Sequence, residues 1–265
     1  MDHLNYTQIL EESIPIVKKA GAFLLEHFRK VGQDQIEDKD VNSLVSYVDR
    51  QAEAILVQEL QTLLPDSTFI TEENTVENQE SEFTWIIDPL DGTTNFLFGL
   101  PHFAVSVALK HQEEIVVGIV YHPSQEECFY ATKAGGAFVN GTPIKVKSTK
   151  YLKEALIATG MPFNNIAHVD QVLSLIRYWK QHTRGVRRLG SAALDLAYVA
   201  AGRFDAYVEW GLNAWDIAAG ILLVEEAGGK VTDLKAEQDY LKNGEIVAAS
   251  SALYDALKEG LPKDS

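Results

Sequence analysis

At 265 residues the chain is long enough to bury a substantial core, as one large domain or two closely packed halves, and its 46% hydrophobic content is that of an ordinary soluble globular protein. The 38 Asp and Glu residues outnumber the 23 Lys and Arg, leaving a formal charge of −15 and a pI near 4.9. Such a surface repels phosphate backbones and anionic lipid, so nucleic acid and membrane are not expected partners, and an anionic substrate would need bridging cations.

Met1 to Asn5 carries neither a basic nor an apolar leader pattern, so no signal peptide is expected. Apolar residues at helical spacing, Ile9, Leu10, Ile14, Val17, Ala20, Leu24 and Phe28, predict a helix from about Tyr6 to Phe28 that Pro15 should kink or restart. A polar stretch, Gly32 to Asn42, reads as a loop or hairpin. A second amphipathic helix is expected from about Ser43 to Leu64, with Val45, Val48, Ala52 and Leu56 on its inner side and Asp49 beside that stripe. Ser67 to Thr71 is a short strand ending in Glu72-Glu73, followed by an acidic loop, Asn74 to Glu82. The apolar run Phe83 to Ile87 predicts a buried strand that empties into Asp88-Pro89-Leu90-Asp91-Gly92-Thr93-Thr94.

Phe103 to Lys110, Glu114 to His122 and Glu127 to Lys133 follow as an antiparallel meander, with a further hairpin turning at Asn140-Gly141. The only cysteine, Cys128, lies in this meander, excludes an intrachain disulfide and reads as a packing residue suited to a reducing cytosol. A boundary near Thr149 to Glu154 divides an N-terminal α+β half, residues 1–150, from a C-terminal half, 151–265, in which strands and helices alternate. Strands are expected at Ala155 to Thr159, Val186 to Leu189, Ala206 to Glu209 and Ile246 to Ala249. Helices are expected at Ile166 to His182, Ser191 to Ala201, Ile217 to Ala227 and Ala252 to Leu261. The longest apolar runs, such as Ile217 to Val224, are too short to span a bilayer, and a cytoplasmic location is expected.

No G-x-S-x-G elbow, P-loop or H-E-x-x-H pattern occurs, which leaves little basis for a serine hydrolase, a P-loop enzyme or a zinc site. What remains is a set of carboxylates at strand ends and helix starts: Glu72, Asp88, Asp91 and Asp216, with Asp49 behind them. Residues three apart on a regular strand point to opposite faces, so Pro89 is expected to bend the chain and turn Asp88 and Asp91 toward one point. Such carboxylates suit Mg²⁺, which neutralises phosphate and lowers the pKa of bound water. Gly92 and Thr93 could open a helix whose free amides suit a phosphate. The bland alternative is a strand followed by an Asp-Gly turn, with Thr93 as a helix cap. Arg184, Arg187 and Arg188 read either as partners for an additional phosphate or as a solvated basic edge.

Asp88-Pro89-Leu90-Asp91-Gly92-Thr93-Thr94-Asn95-Phe96, the upstream Glu72-Glu73, and Trp215-Asp216-Ile217-Ala218 running on to Glu226-Ala227-Gly228-Gly229 together resemble the inositol monophosphatase family over nearly the whole chain. The resemblance implies an α/β fold layered as an αβαβα sandwich of the inositol monophosphatase and sugar phosphatase type. It implies a usually dimeric, often Li⁺-inhibited enzyme that hydrolyses a small phosphomonoester such as myo-inositol monophosphate. Relatives in the superfamily act on NADP(H), fructose 1,6-bisphosphate or phosphoadenosine phosphate, and a non-catalytic metal-binding regulator is a further alternative. Glu72, Asp88 and the carbonyl of Leu90 would hold one Mg²⁺, Asp88, Asp91 and Asp216 a second, and Glu72 with waters a third. Asp49, Thr93 and Glu72 would serve catalysis, and Asp91, Gly92, Thr93, Ala192, Glu209 and Asp216 would contact substrate. From the residues alone, Ala192 reads as helix packing and Glu209 as a solvated strand end. Ser46 and Thr71 stand where the family usually has Thr and often has Gly.

Overall fold

The side chain of Asn5 accepts from the amides of Thr7 and Gln8 and starts α1 (Tyr6–His27), the first element in a computed structural model that describes residues 5–32, 36–40, 43–73, 81–161 and 166–261. Pro15 lies inside this helix without interrupting it: the residue is exposed, so the carbonyl it cannot serve is on the solvent side. The expected restart therefore does not occur. The polar stretch that follows forms a hairpin, β1 (Ile36–Asp40) paired antiparallel with β2 (Ser43–Ser46). Helix α2 (Tyr47–Leu63) consequently starts four residues later than its periodicity suggests. Ser46 decides this, its hydroxyl accepting from the amide of Val48 while Asp49 accepts from the Ser46 amide. Most of the acidic loop predicted at Asn74 to Glu82 lies outside the described residues.

The first half continues with β3 (Ser67–Thr71), β4 (Phe83–Asp91), the short α3 (Thr93–Leu97), β5 (Ala104–His111), β6 (Glu114–His122), β7 (Glu127–Thr132), β8 (Gly136–Val139) and β9 (Thr142–Pro143). The second half adds β10 (Leu156–Thr159), α4 (Ile166–His182), β11 (Gly185–Arg187), α5 (Ala192–Ala200), β12 (Ala206–Glu209) and α6 (Ala214–Glu226). It closes with β13 (Gly229–Thr232), α7 (Tyr240–Asn243), β14 (Ile246–Ser250) and α8 (Ser251–Lys258), of which β13 and α7 lack a periodic signal of their own.

Among the described residues, β3 to β9 form a sheet in sequential order, with β3 parallel to β4 and the rest antiparallel, so the antiparallel meander expected for β5 to β7 belongs to a sheet that is mixed at its β3 edge. A second sheet has the order β11-β10-β12-β14-β13. One face of the first sheet packs beneath α1 and α2, where Val17, Leu24 and Leu56 meet Trp85, Ile87 and Ile119. Its other face, through Ala108, Val120 and Phe129, meets Leu196, Ala219 and Leu223 of α5 and α6. The same helices cover Ala158, Tyr207 and Ala248 of the second sheet, whose outer face packs Ile157 and Val208 against Trp179 and Leu253 of α4 and α8. Helix, sheet, helix, sheet and helix layers follow in that order, the αβαβα sandwich. Helices α5 and α6 are apolar on nearly every side because a sheet lies on each side of them.

Candidate active site

Strand β4 carries the first acids, and its register explains how they converge. Asp88 pairs with Ser106 but Asp91 pairs with Ala104, so three steps on β4 oppose two on β5. That extra residue is a β-bulge at Pro89, which has no amide to offer the ladder. Strand β4 runs on through the bulge to Asp91, so the carboxylates are brought together by a bulge within the strand and not by a bend at its end.

Asp88, Asp91 and Asp216 are each then held by a backbone amide, Asp88 and Asp216 locally and Asp91 from another element. Asp88 is 2% exposed, and its Oδ1 accepts from the Leu90 amide at 2.9 Å. Asp91 Oδ2 accepts from the Ser191 hydroxyl at 2.6 Å and the Ala193 amide at 2.7 Å, which fastens the end of β4 to the start of α5. Asp216 is the third residue of α6, where its Oδ2 accepts from the Asn213 amide at 2.6 Å. The Ser106 hydroxyl, opposite Asp88, reaches the Trp215 carbonyl at 3.3 Å and ties the start of α6 to the same sheet. Glu72 follows β3, its amide donating to the Ile87 carbonyl at 3.3 Å.

The resulting electrostatics are those of acids deprived of water. Burial raises Asp88 well above the usual carboxylate range, and the charges of Glu72, Asp91 and Asp216 push it further. Asp216 is raised for the same reasons, burial first and Asp91 next. Asp91 is pushed up to about 6 by burial, against the opposing hydrogen bonds from Ser191 and Ala193. The charges acting on Asp88 and Asp216 are thus other carboxylates. Oxygen donors of one sign fit a hard divalent cation from solution. Among the described residues, no three acidic, His or Cys side chains already close into a cage; the carboxylates are turned onto backbone amides instead.

Thr93 and Asp49 meet across the same site. The Thr93 hydroxyl lies 3.1 Å from Asp49 Oδ1 and 2.9 Å from the Leu90 carbonyl; its one proton can serve either acceptor. Asp49 is 1% exposed, is raised by burial, and has its other oxygen on the Ser46 hydroxyl at 2.8 Å. The helix cap at α3 is Gly92, not Thr93, because the chain passes through φ 94° there. A Cβ at position 92 would lie 3.1 Å from the His102 carbonyl and 3.2 Å from that of Gly190. Gly92→Ala is therefore expected to destabilise the protein by about 1–3 kcal/mol and to weaken turnover by shifting Thr93, which a thermal melt and an initial-rate assay would check.

Glu209 is 7% exposed, which overturns its reading as a solvated strand end; burial raises it to about 7. Ala192 is buried against the shared core at the first position of α5. Arg188 is exposed, and its charge acts on Glu209 and Asp195; Arg187 turns back to the Val186 carbonyl at 3.0 Å. Two residues that sequence reasoning passed over also build the site. Ser191 holds Asp91, and the Asn95 side chain donates to the carbonyls of His102 and Leu189, each at 2.8 Å, joining α3 to the loop before α5. An Asn just after the Asp-Gly turn was the available signal for the second.

The chain is similar over nearly its whole length to known proteins. The sequence profile of the inositol monophosphatase family matches residues 5–264. A relative named inositol-1-monophosphatase in Mesorhizobium japonicum is 44% identical over 256 residues, covering 96% of each chain. One named Nus factor SuhB in Pseudomonas aeruginosa is 40% identical over 254 residues, covering 94% of each. The crystal structure of the extragenic suppressor protein suhB from Bartonella henselae superposes with a TM-score of 0.92 at 40% identity, covering 97% of this chain and 100% of that one. With that sandwich, that bulged strand of acids and a family match from end to end, the chain belongs to the inositol monophosphatase family.

Proposed function

We propose that this protein hydrolyses a small phosphomonoester in the presence of Mg²⁺, with myo-inositol monophosphate as the substrate. The observation that carries the reading is the Thr93 hydroxyl placed 3.1 Å from the buried Asp49 carboxylate, beside the desolvated acids Asp88, Asp91 and Asp216. Glu72, Asp88, the Leu90 carbonyl, Asp91 and Asp216 would hold the Mg²⁺. When bound, the metal supplies Lewis-acid polarisation of the phosphate and a lowered pKa for water. Thr93 orients the attacking water and passes its proton toward Asp49, while Glu72 shares in positioning it. The amides of Gly92 and Thr93 face the phosphate, and Ala192 and Glu209 face the alcohol.

Family resemblance extends the proposal to Li⁺ inhibition, a homodimer and a cytoplasmic location; among the described residues no helix is long and apolar enough to cross a membrane. The relatives named Nus factor SuhB motivate a second reading, a regulator that retains the fold. The Thr93–Asp49 pair favours catalysis, since binding alone would not need a proton acceptor behind a hydroxyl.

Phosphate release from myo-inositol 1-phosphate, NADP, fructose 1,6-bisphosphate and phosphoadenosine phosphate, each with Mg²⁺ and with chelator, tests this. Mg²⁺-dependent release is expected, fastest from the inositol ester, with loss in chelator. Silence across the panel from folded protein would move the assignment to the regulator, and preference for another ester would change the alcohol only.

A further inference from the structure

Strand β12 places Tyr207 and Glu209 two residues apart, so both side chains leave the same face of the second sheet, toward α5. The Tyr207 hydroxyl donates to Glu209 Oε2. Tyr207 itself is fully buried, and Glu209 Oε1 has no hydrogen bond among the described residues. Strand β10 runs parallel alongside, Ala158 beside Tyr207 and Thr159 beside Val208, with the Thr159 hydroxyl on the Val208 carbonyl at 2.7 Å. Extending that register by one residue sets Gly160 beside Glu209. A methyl group at position 160 would overlap the Glu209 carboxyl group, carbon and both oxygens. The carboxylate therefore occupies the space that a side chain on the neighbouring strand would take.

We infer that Tyr207 and Gly160 are positioning residues for the alcohol side of the site: Gly160 leaves room for the Glu209 carboxylate, and Tyr207 anchors one of its oxygens, leaving the other to accept a ring hydroxyl of a polyol phosphate. The inference rests on the phosphatase reading above and adds where its selectivity for a hydroxylated alcohol resides. A carboxylate fixed through one oxygen accepts a substrate hydroxyl without first losing rotamer freedom, and a phosphate ester with no hydroxyl on its alcohol gains nothing from it.

The test compares kcat/KM for myo-inositol 1-phosphate with that for phenyl phosphate, both with Mg²⁺, in the wild-type chain, Tyr207→Phe, Gly160→Ala, Glu209→Ala and Tyr207→Phe/Glu209→Ala. The ratio of the two constants is expected to fall about tenfold in Tyr207→Phe and in Gly160→Ala, through KM for the inositol ester, as loss of a hydrogen bond to a charged group implies. In the Glu209→Ala background, Tyr207→Phe is expected to change the ratio no further. An unchanged ratio in both single variants with wild-type melting temperatures overturns the inference, as does an equal fall for the two substrates, the mark of a merely structural role. No Mg²⁺-dependent release from either ester by the wild-type chain overturns the phosphatase reading itself, and this inference with it.

Discussion

Asp88→Asn is expected to remove Mg²⁺-dependent phosphate release and, in chelator, to raise the melting temperature of the protein. Loss of a carboxylate that would hold the metal forfeits several kcal/mol of transition-state stabilisation, on the order of a thousandfold in rate. The stability change has the opposite sign because Asp88 is buried among Glu72, Asp91 and Asp216, and a neutral amide lifts both the desolvation and the repulsion. The same electrostatics set a pH dependence. A carboxyl whose folded pKa lies above its unfolded value keeps a proton in the fold that the unfolded chain has already released. Its contribution is fully present below the unfolded value and is lost as pH rises through the folded one. For Asp91, pushed from 3.8 to about 6, and Glu209, pushed from 4.5 to about 7, the chelated wild-type protein should lose stability between about pH 4 and pH 7. Mg²⁺ should restore it by binding the ionised fold. Differential scanning calorimetry across that range, with and without Mg²⁺, checks the slope. A pH-independent melting temperature in chelator, or unaltered turnover by Asp88→Asn, would sink the account.

Asp49→Asn is expected to lower kcat about 10²–10⁴-fold with little change in KM, the span associated with a positioned proton acceptor. Asn keeps an oxygen for the Ser46 amide, so the start of α2 should survive, and a melting temperature close to wild type would separate the chemical loss from a lost cap. Because Thr93 and Asp49 would act as one unit, Thr93→Ala alone should cost about as much as the pair removed together. Full additivity in single-turnover kinetics would show that the two act separately.

Several features of this protein are local and were legible in its residues. The apolar runs of β3 to β7, the helical stripes of α1, α4 and α6, and the spacing of the Asp88 to Thr94 stretch follow from side-chain period and turn chemistry, which act within a few residues. Carboxylates at the ends of β3 and β4 and at the start of α6 pointed to a common site for the same reason, whereas Glu209 at the end of β12 read as solvated. Other features needed contacts between segments far apart in sequence. Periodicity alone ran α2 back to Ser43, because the pairing of β2 with β1 that overrides it is not a local property. Only the register of β4 against β5 revealed that a bulge turns Asp88 and Asp91 together. The burial of Glu209, and with it the roles of Tyr207 and Gly160, depends on β10 lying against β12, strands joined in sequence only through α4, β11 and α5. Ser191 meets Asp91 across 100 positions for the same reason. Residue types and spacing determined which chemistry the chain could perform; strand register and layer packing decided which of its many acids lose their water, because desolvation is a property of the assembled fold.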